Sequence, residues 1–351
     1  MDSQGSILKL PLTQGLSWRI PAQRLNRRKD EIIDMPRRKN RNPWKRTLTV
    51  LVYGVIALLV GFGVLDSDLF PQTDDDRDIR ENATGMISED GEITVHFIDV
   101  GQADSILVIT PGNRVMLVDA GNNSDGELVT EYLANQGINR IDVVVGTHPH
   151  EDHIGGLDTV IENFDIGKIY MPKAVTATKT FEDVLKSVKN KGLKVNTAEA
   201  GVDIGLDPQL TSVFLAPNSG GYEDLNNYSA VIKLTYGSTS FLLSGDAEDL
   251  SEEEMLQKGY DLKADVLKVG HHGSSSSTTE EFLSEVDPEF AVIMAGKGNE
   301  YGHPHKEVME RLEKRGIKVF RTDQNGTIIA KSDGNKIEFN TEPGDYSYPG
   351  K

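Results

Sequence analysis

The stretch that decides the fold is IDVVVGTHPHEDHIGG, residues 141–156. Its opening run is mostly β-branched and apolar, which predicts a buried strand. The loop that follows places His148, His150 and His153 beside Asp152 within six positions. Protonated imidazoles this close together would repel one another, whereas neutral imidazoles are ligands for divalent cations. We therefore expect this loop to bind metal.

Working outward, other candidate ligands stand at the ends of predicted strands. These residues are Asp119, Asp246, His271, His272 and His303. A single aspartate after a strand is more often a turn former than a ligand. The repeated placement at strand ends, however, favours one common site. Cysteine is absent, so any metal must be held by histidine or carboxylate.

From residue 93 onward, short β-branched runs alternate with amphipathic stretches. This pattern predicts a layered α/β domain in which helices cover packed sheets. Strands are predicted at 93–98, 105–110, 114–119, 141–146, 168–171, 229–236, 239–245, 264–270, 290–296 and 317–322, with a last pair near 327–339. Helices are predicted at 126–136, 155–163, 179–190, 249–258, 279–285 and 304–315.

The charge is divided unevenly along the 351 residues. Of 37 basic and 55 acidic side chains, twelve and four lie in residues 1–46, which form a basic tail of net charge +8. Residues 47–65 are uncharged, so 25 basic and 51 acidic groups remain, a net charge of −26. A hydrophobic content of 37% excludes a wholly disordered chain.

The uncharged segment 47–65 predicts a single transmembrane helix, since its residues would span roughly 28 Å of a hydrocarbon core about 30 Å thick. Basic residues precede it and acidic residues follow, so we expect the N-terminus to be cytoplasmic and the rest extracytoplasmic at the cell membrane. A cleaved signal peptide is the alternative, but the apolar run exceeds the usual length. Residues 66–92 are predicted to be an acidic linker.

Six ordered motifs carry a family resemblance: HFIDVGQADSILV, VDAG, THPHEDHIGG, LLSGDAE, LKVGHHGS and YGHPH. They resemble the metallo-β-lactamase superfamily, and more narrowly the extracellular hydrolase domain of the ComEC/Rec2 competence proteins. The resemblance implies a four-layer αββα sandwich over residues 93–340, followed by a short tail at 341–351. It also implies a metal-dependent phosphodiesterase or nuclease that holds two divalent ions, Zn²⁺ or Mn²⁺, and uses a hydroxide that bridges them.

The resemblance also assigns metal ligands. Asp246 would bridge the two ions. The first ion would be held by His148 and His150, and the second by Asp152, His153 and either His271 or His272. Between His271 and His272 we favour His272, because the ligand in the wider superfamily is commonly followed by glycine; His271 would then reach the substrate.

Roles around the metals follow in the same way. Asp152 would also steer the proton of the nucleophile, and His303 would contact the phosphate or protonate the leaving oxygen. Asp119 would orient a ligand histidine, and Asp104 would lie near the site. Residue 103 is Ala where relatives usually carry Gly, which casts little doubt on Asp104.

One departure from the family pattern concerns the histidine expected between about 215 and 230, which is missing. Asn226 or Asn227 would supply a weaker oxygen ligand there. The loop that begins at Ser274 is either an anion seat at a helix start or a linker capped by threonine. His96 is expected to be packed inside its strand, and His305 to be structural.

The expected substrate is a phosphodiester, either single-stranded DNA or a cell-wall phosphodiester. The net charge of −26 and the lack of a basic stripe favour a small substrate over a long polyanion. The rival hypothesis is a degenerate domain that binds metal, DNA or cell wall without turnover. No protein partner is inferred.

Overall fold

The computed structural model describes residues 91–350, where the short β-branched runs form strands. The strands are β1 (Ile93–Phe97), β2 (Ile106–Ile109), β3 (Val115–Val118), β4 (Arg140–Val145), β5 (Asp165–Met171), β6 (Val195–Thr197), β7 (Thr211–Phe214), β8 (Ile232–Tyr236), β9 (Thr239–Leu243), β10 (Val266–Lys268), β11 (Phe290–Ile293), β12 (Lys318–Arg321), β13 (Ile328–Ser332) and β14 (Ile337–Phe339).

Helices occupy the amphipathic stretches between the strands. They are α1 (Gly126–Asn135), α2 (Glu151–Ile154), α3 (Leu157–Asn163), α4 (Lys179–Asn190), α5 (Asp249–Lys258), α6 (Glu280–Val286), α7 (Lys306–Arg315) and α8 (Thr322–Asn325). Thr178 caps α4 by accepting from the backbone N–H of Phe181, and Thr279 caps α6 in the same way. Short 3₁₀ turns lie at Leu225–Tyr228 and Gly270–Gly273.

The strands form two sheets. The first has the order β14-β13-β1-β2-β3-β4-β5-β6, and the second has the order β12-β11-β10-β9-β8-β7. The β3-β4-β5-β6 part of the first sheet is parallel, as is the β9-β10-β11-β12 part of the second. The remaining pairs are antiparallel, and among them β2-β3, β8-β9 and β13-β14 are joined by short loops.

Three hydrophobic cores lie between the layers of the sandwich. The central core joins the inner faces of both sheets, with Phe97 from the first and Phe214 and Phe241 from the second fully buried. Burial of each such ring stabilises the fold by about 1.5–3 kcal/mol. A second core packs α1, α3 and α4 on the first sheet, and a third packs α5, α6 and α7 on the second. The predicted αββα sandwich is therefore confirmed.

Some sequence predictions need correction. Strands β6 and β7 were not predicted, and neither was helix α2 (Glu151–Ile154). The helix predicted at 155–163 begins two residues later, as α3 (Leu157–Asn163). A Cβ on Gly156 would overlap the carbonyl oxygen of Ala120, so only glycine lets this helix approach the loop after β3. The predicted membrane span 47–65 lies outside the described residues, and no helix within 91–350 is long and apolar enough to span a membrane.

Candidate metal centre

The segments that carry the predicted site residues lie together at one edge of the sandwich. The carboxyl ends of parallel strands β3 and β4 lie there, as do those of β9, β10 and β11. The chain also enters the antiparallel strands β2 and β8 at this edge, which brings in Asp104 and Asn226. Backbone hydrogen bonds hold these segments together: Asp104 N donates to Asp152 O at 3.0 Å, and His271 N donates to Gly245 O at 3.1 Å.

Four predicted ligands form a tight cluster. The ligand atoms of Asp152, His153, Asp246 and His272 all lie within 4.8 Å of one another. His153 Nε2 is 3.2 Å from Asp246 Oδ2, and His272 Nε2 is 3.3 Å from Asp152 Oδ2. His153 Nε2 and Asp246 Oδ1 are buried without a well-aligned hydrogen-bond partner in the described chain. Such atoms are costly to bury unless a ligand completes them, so this donor set fits a divalent cation.

The far side of each imidazole ring in this cluster is held by the protein. His153 Nδ1 lies 2.8 Å from Asp119 Oδ2, and Asp119 also accepts hydrogen bonds from the backbone and hydroxyl of Thr147. His272 Nδ1 donates to the carbonyl of Met294 at 2.9 Å. Both rings therefore present Nε2 to the cluster. His272 belongs to this cluster and His271 does not, although its Nε2 lies 3.7 Å from Asp246 Oδ2.

The other two predicted histidine ligands lie next to the cluster. His148 Nε2 and His150 Nδ1 are 3.0 Å apart, and His148 Nε2 is 4.0 Å from Asp246 Oδ2. Asn226 lines the cavity beside them. Asn227 instead accepts a hydrogen bond through Oδ1 from the backbone of Ser251 at 3.1 Å, so its oxygen is already used.

The clustered charges shift the pKa of every member. Burial alone would raise the pKa of Asp246, but His153, His272 and His148 hold it well below its usual value. Burial alone would lower the pKa of His272, yet Asp246 and Asp104 raise it to about 10. Burial and His153 hold the pKa of His148 well below its usual value, which leaves this imidazole neutral.

Lys268 is a site residue that the sequence analysis missed. It is fully buried at the end of β10, where its ammonium group pairs with Asp104 and donates to the carbonyl of Gly245 at 3.1 Å. Its Nζ lies 4.0 Å from Asp246 Oδ1. The signal was present, since Lys268 is the one charged residue in the apolar run VLKVG, residues 266–270. Asp104 is thus held behind the ligands and does not line the cavity.

A cavity of about 310 Å³ opens over the ligands. His303 and Tyr301 form part of its wall, with their rings stacked at 5.7 Å and 20°. Gln102, which was not predicted, holds His303 through a contact of 3.3 Å between Nε2 and His303 Nδ1. Burial and the neighbouring His272 and His271 lower the pKa of His303 to about 3. A ring with this lowered pKa is neutral near pH 7, and the proton-donor role expected of His303 stays a prediction.

The loop that begins at Ser274 does not form an anion seat. The backbone N–H groups of Thr278 and Thr279, at the start of α6, already donate to the carboxylate of Glu252. Ser274 does not line the cavity, and its hydroxyl bonds Ser276 at 2.9 Å. The capped-linker interpretation of this loop is the correct one.

Three residues of the site have a strained backbone conformation. Asp119, His271 and His272 adopt φ of 60°, 46° and 53°, in the left-handed region that residues other than glycine seldom occupy. Gly273 follows with φ of 86°, and a Cβ there would come within 2.7 Å of the Pro304 side chain. The remaining two histidines, His305 and His96, are structural. His305 Nδ1 accepts a hydrogen bond from Ser275 N, and its Nε2 donates to Tyr301 O. His96 Nδ1 is hydrogen-bonded to the hydroxyl of Tyr132.

The family model described as the metallo-beta-lactamase superfamily matches residues 98–297. The chain belongs to this superfamily. Members of the superfamily bind divalent metals through their histidine and aspartate residues, and the cluster at the end of the sandwich is the corresponding group of residues in this chain.

Three curated relatives place the chain near the competence proteins within the superfamily. ComE operon protein 3 of Bacillus subtilis (strain 168) is 36% identical over 259 residues, which are 69% of this chain and 33% of that protein. Competence protein ComA of Neisseria gonorrhoeae is 32% identical over 241 residues, 68% and 32% of the two chains. Recombination protein 2 of Haemophilus influenzae is 33% identical over 243 residues, 67% and 28% of the two chains. The chain thus spans about a third of the length of these relatives.

Proposed function

We propose that the chain is a metal-dependent phosphodiesterase that acts as a nuclease on single-stranded DNA, with a cell-wall phosphodiester as the second candidate substrate. The observation that carries the proposal is the convergence of Asp152, His153, Asp246 and His272 within 4.8 Å. The relatives named as competence and recombination proteins favour a nucleic-acid substrate.

We assign separate metal-binding and proton-transfer roles to the residues of the site. One cation, Zn²⁺ or Mn²⁺, would be held by the four clustered residues, and a second would be held by His148, His150 and the shared Asp246. Such cations, when bound, lower the pKa of water and polarise a phosphoryl oxygen. Asp119 fixes the ring of His153 and leaves Nε2 free to bind. Asp152, the most exposed of the four clustered residues, would accept the proton of the attacking water.

The cavity wall would bind the substrate. His303 is neutral and would donate a hydrogen bond to a phosphate oxygen, with Gln102 holding the ring in place. Tyr301 keeps 70% of its surface exposed next to His303, which suits stacking with a planar base.

The proposed location is the extracytoplasmic side of the cell membrane. The support is sequence alone: the uncharged segment 47–65 follows a basic tail. Protease accessibility of intact cells tests this, because cleavage of the domain without lysis is expected if it lies outside.

The activity test uses purified full-length protein loaded with Mn²⁺ or Zn²⁺. Hydrolysis of bis-p-nitrophenyl phosphate and of labelled single-stranded DNA is measured for the wild type, His150→Ala and Asp246→Asn. We expect each variant to lose at least a hundredfold in kcat/KM. His305→Asn is the matched control, because its amide oxygen can still accept from Ser275 N.

Two outcomes would contradict the proposal. Full activity in both ligand variants would exclude this site as the catalytic centre. No hydrolysis of either substrate by the metal-loaded wild type, combined with metal binding, would favour the rival hypothesis of a binding domain without turnover.

A further inference from the structure

The first cation lacks one of the ligands that the family pattern predicts, because the third histidine is missing from residues 215–230. His271 lies where it can replace that ligand. Its Nε2 is 3.7 Å from Asp246 Oδ2, the same oxygen that lies 4.0 Å from His148 Nε2. Its ring also lines the cavity, and 24% of its side chain is exposed. His271 therefore faces the shared carboxylate without being part of the tight cluster.

The opposite side of the His271 ring is fixed by an acid. His271 Nδ1 lies 3.1 Å from Glu248 Oε1, and Ser276 donates its hydroxyl to the same oxygen at 2.7 Å. Because Ser276 and His271 both bond this carboxylate, Nδ1 carries the proton and Nε2 offers a lone pair toward Asp246. A carboxylate behind a histidine in this way is the usual arrangement for a metal ligand.

Two further observations point to a ligand at this position. The backbone of His271 is held at φ 46°, a strained conformation that persists where the surrounding structure enforces it. Asn226 Oδ1, from the segment where the third histidine is missing, is buried without a hydrogen-bond partner among the described residues. Its Nδ2 lies 3.5 Å from His271 Nδ1. The segment thus brings an uncompensated oxygen to the same part of the site.

We propose that His271 supplies the ligand that the missing histidine would have given, and that it completes the first cation site with His148, His150 and Asp246. Glu248 is the positioning residue that sets the orientation of the ring. The adjacent histidines of the HHG motif then serve different ions, His271 the first and His272 the second. The inference rests on the proposed function only in requiring that the site binds two cations.

The test counts bound metal. Full-length protein is freed of metal with a chelator and titrated with Mn²⁺, and the bound ions are measured by elemental analysis after dialysis and by calorimetry. The key variant is His271→Asn, because asparagine tolerates the left-handed backbone and its amide can keep the bond to Glu248 while Nε2 is removed. His305→Asn is the control for the same change outside the ligand set.

We expect two ions per chain in the wild type and in His305→Asn, and one tightly bound ion in His271→Asn. Glu248→Gln is expected to bind two ions with the weaker affinity reduced 10- to 100-fold. The paramagnetic resonance signal of an exchange-coupled Mn²⁺ pair, present in the wild type, is expected to be lost in His271→Asn. Glu248→Gln also tests the proposal if His271→Asn fails to fold.

The outcomes separate the two proposals. Two ions bound with wild-type affinity in His271→Asn would overturn the assignment of His271 and leave the proposed activity intact. Loss of both ions in a variant with wild-type thermal unfolding would also overturn it, since His271 would then serve the tight cluster. A wild-type protein that binds no Mn²⁺ and no Zn²⁺ would instead refute the proposed function itself.

Discussion

Replacement of Lys268 by methionine tests the electrostatic design behind the metal ligands. The side chain of Lys268 is fully buried, and its charge is paired with Asp104, which is 1% exposed. Methionine has a similar length but no charge, so Lys268→Met leaves the Asp104 carboxylate in the interior without its main partner. Removal of one member of a buried pair typically costs about 3–5 kcal/mol.

The assay is urea denaturation of the metal-free full-length protein. We expect the free energy of unfolding to fall by about 3–5 kcal/mol in Lys268→Met, which corresponds to a loss of about 6–20 °C in Tm for a domain of this size. Asp104→Asn should be destabilising for the reciprocal reason. The double variant removes both charges together, so we expect it to lose at least about 2 kcal/mol less than the sum of the single losses.

Two results would refute this reasoning. A Lys268→Met protein within about 0.5 kcal/mol of the wild type would indicate that the pair contributes no more than an exposed ion pair. Strict additivity of the two substitutions would show that Lys268 and Asp104 act independently, contrary to their contact.

Three other predictions follow from the fold and the cavity. His96 is buried with its pKa lowered to about 4, so the folded state resists protonation while the unfolded state protonates near 6.5. Stability should therefore fall by about 3 kcal/mol as the pH drops from 6.5 to 4, and His96→Leu should flatten that slope in denaturation curves. Gly156→Ala should lower stability by about 1–3 kcal/mol through overlap with Ala120, whereas Gly220→Ala, which has open space at its Cβ, should not. Tyr301→Ala should raise KM for single-stranded DNA about fivefold or more and Tyr301→Phe should not, since base stacking contributes about 1–3 kcal/mol per base; equal KM values would exclude the stacking role.

The sandwich was predictable because its strands are short, apolar and regularly separated by amphipathic helices. Strand β6 was missed because Val195–Thr197 is three residues long and largely exposed at the sheet edge, so it carries no periodic signal. Strand β7 was missed because one of its two buried residues, Ser212, is polar, so Thr211–Phe214 shows no alternation of apolar and polar side chains.

The metal site was less predictable from the sequence than the fold. Spacing along the chain identified the loop at 148–153 as metal-binding, but adjacent residues such as His271 and His272 cannot be separated by spacing. Their different partners distinguish the two rings: His271 Nδ1 contacts Glu248, whereas His272 Nδ1 contacts the carbonyl of Met294 and its Nε2 lies 3.3 Å from Asp152 Oδ2. The sequence analysis assigned Lys268 only to a buried strand, because its partner Asp104 is distant in sequence. The two residues become neighbours only when the two sheets pack together.

The tight cluster takes Asp152 and His153 from α2, which follows β4 of the first sheet. It takes Asp246 and His272 from the segments that follow β9 and β10 of the second sheet. A cation bound here would fasten the two halves of the sandwich together, across a sequence separation of 120 residues between Asp152 and His272. Metal would then act as a removable cross-link, much as a disulfide would in a chain that had cysteines. Where divalent ions are scarce, the domain would lose the stability that metal binding adds to the folded state, along with its chemistry.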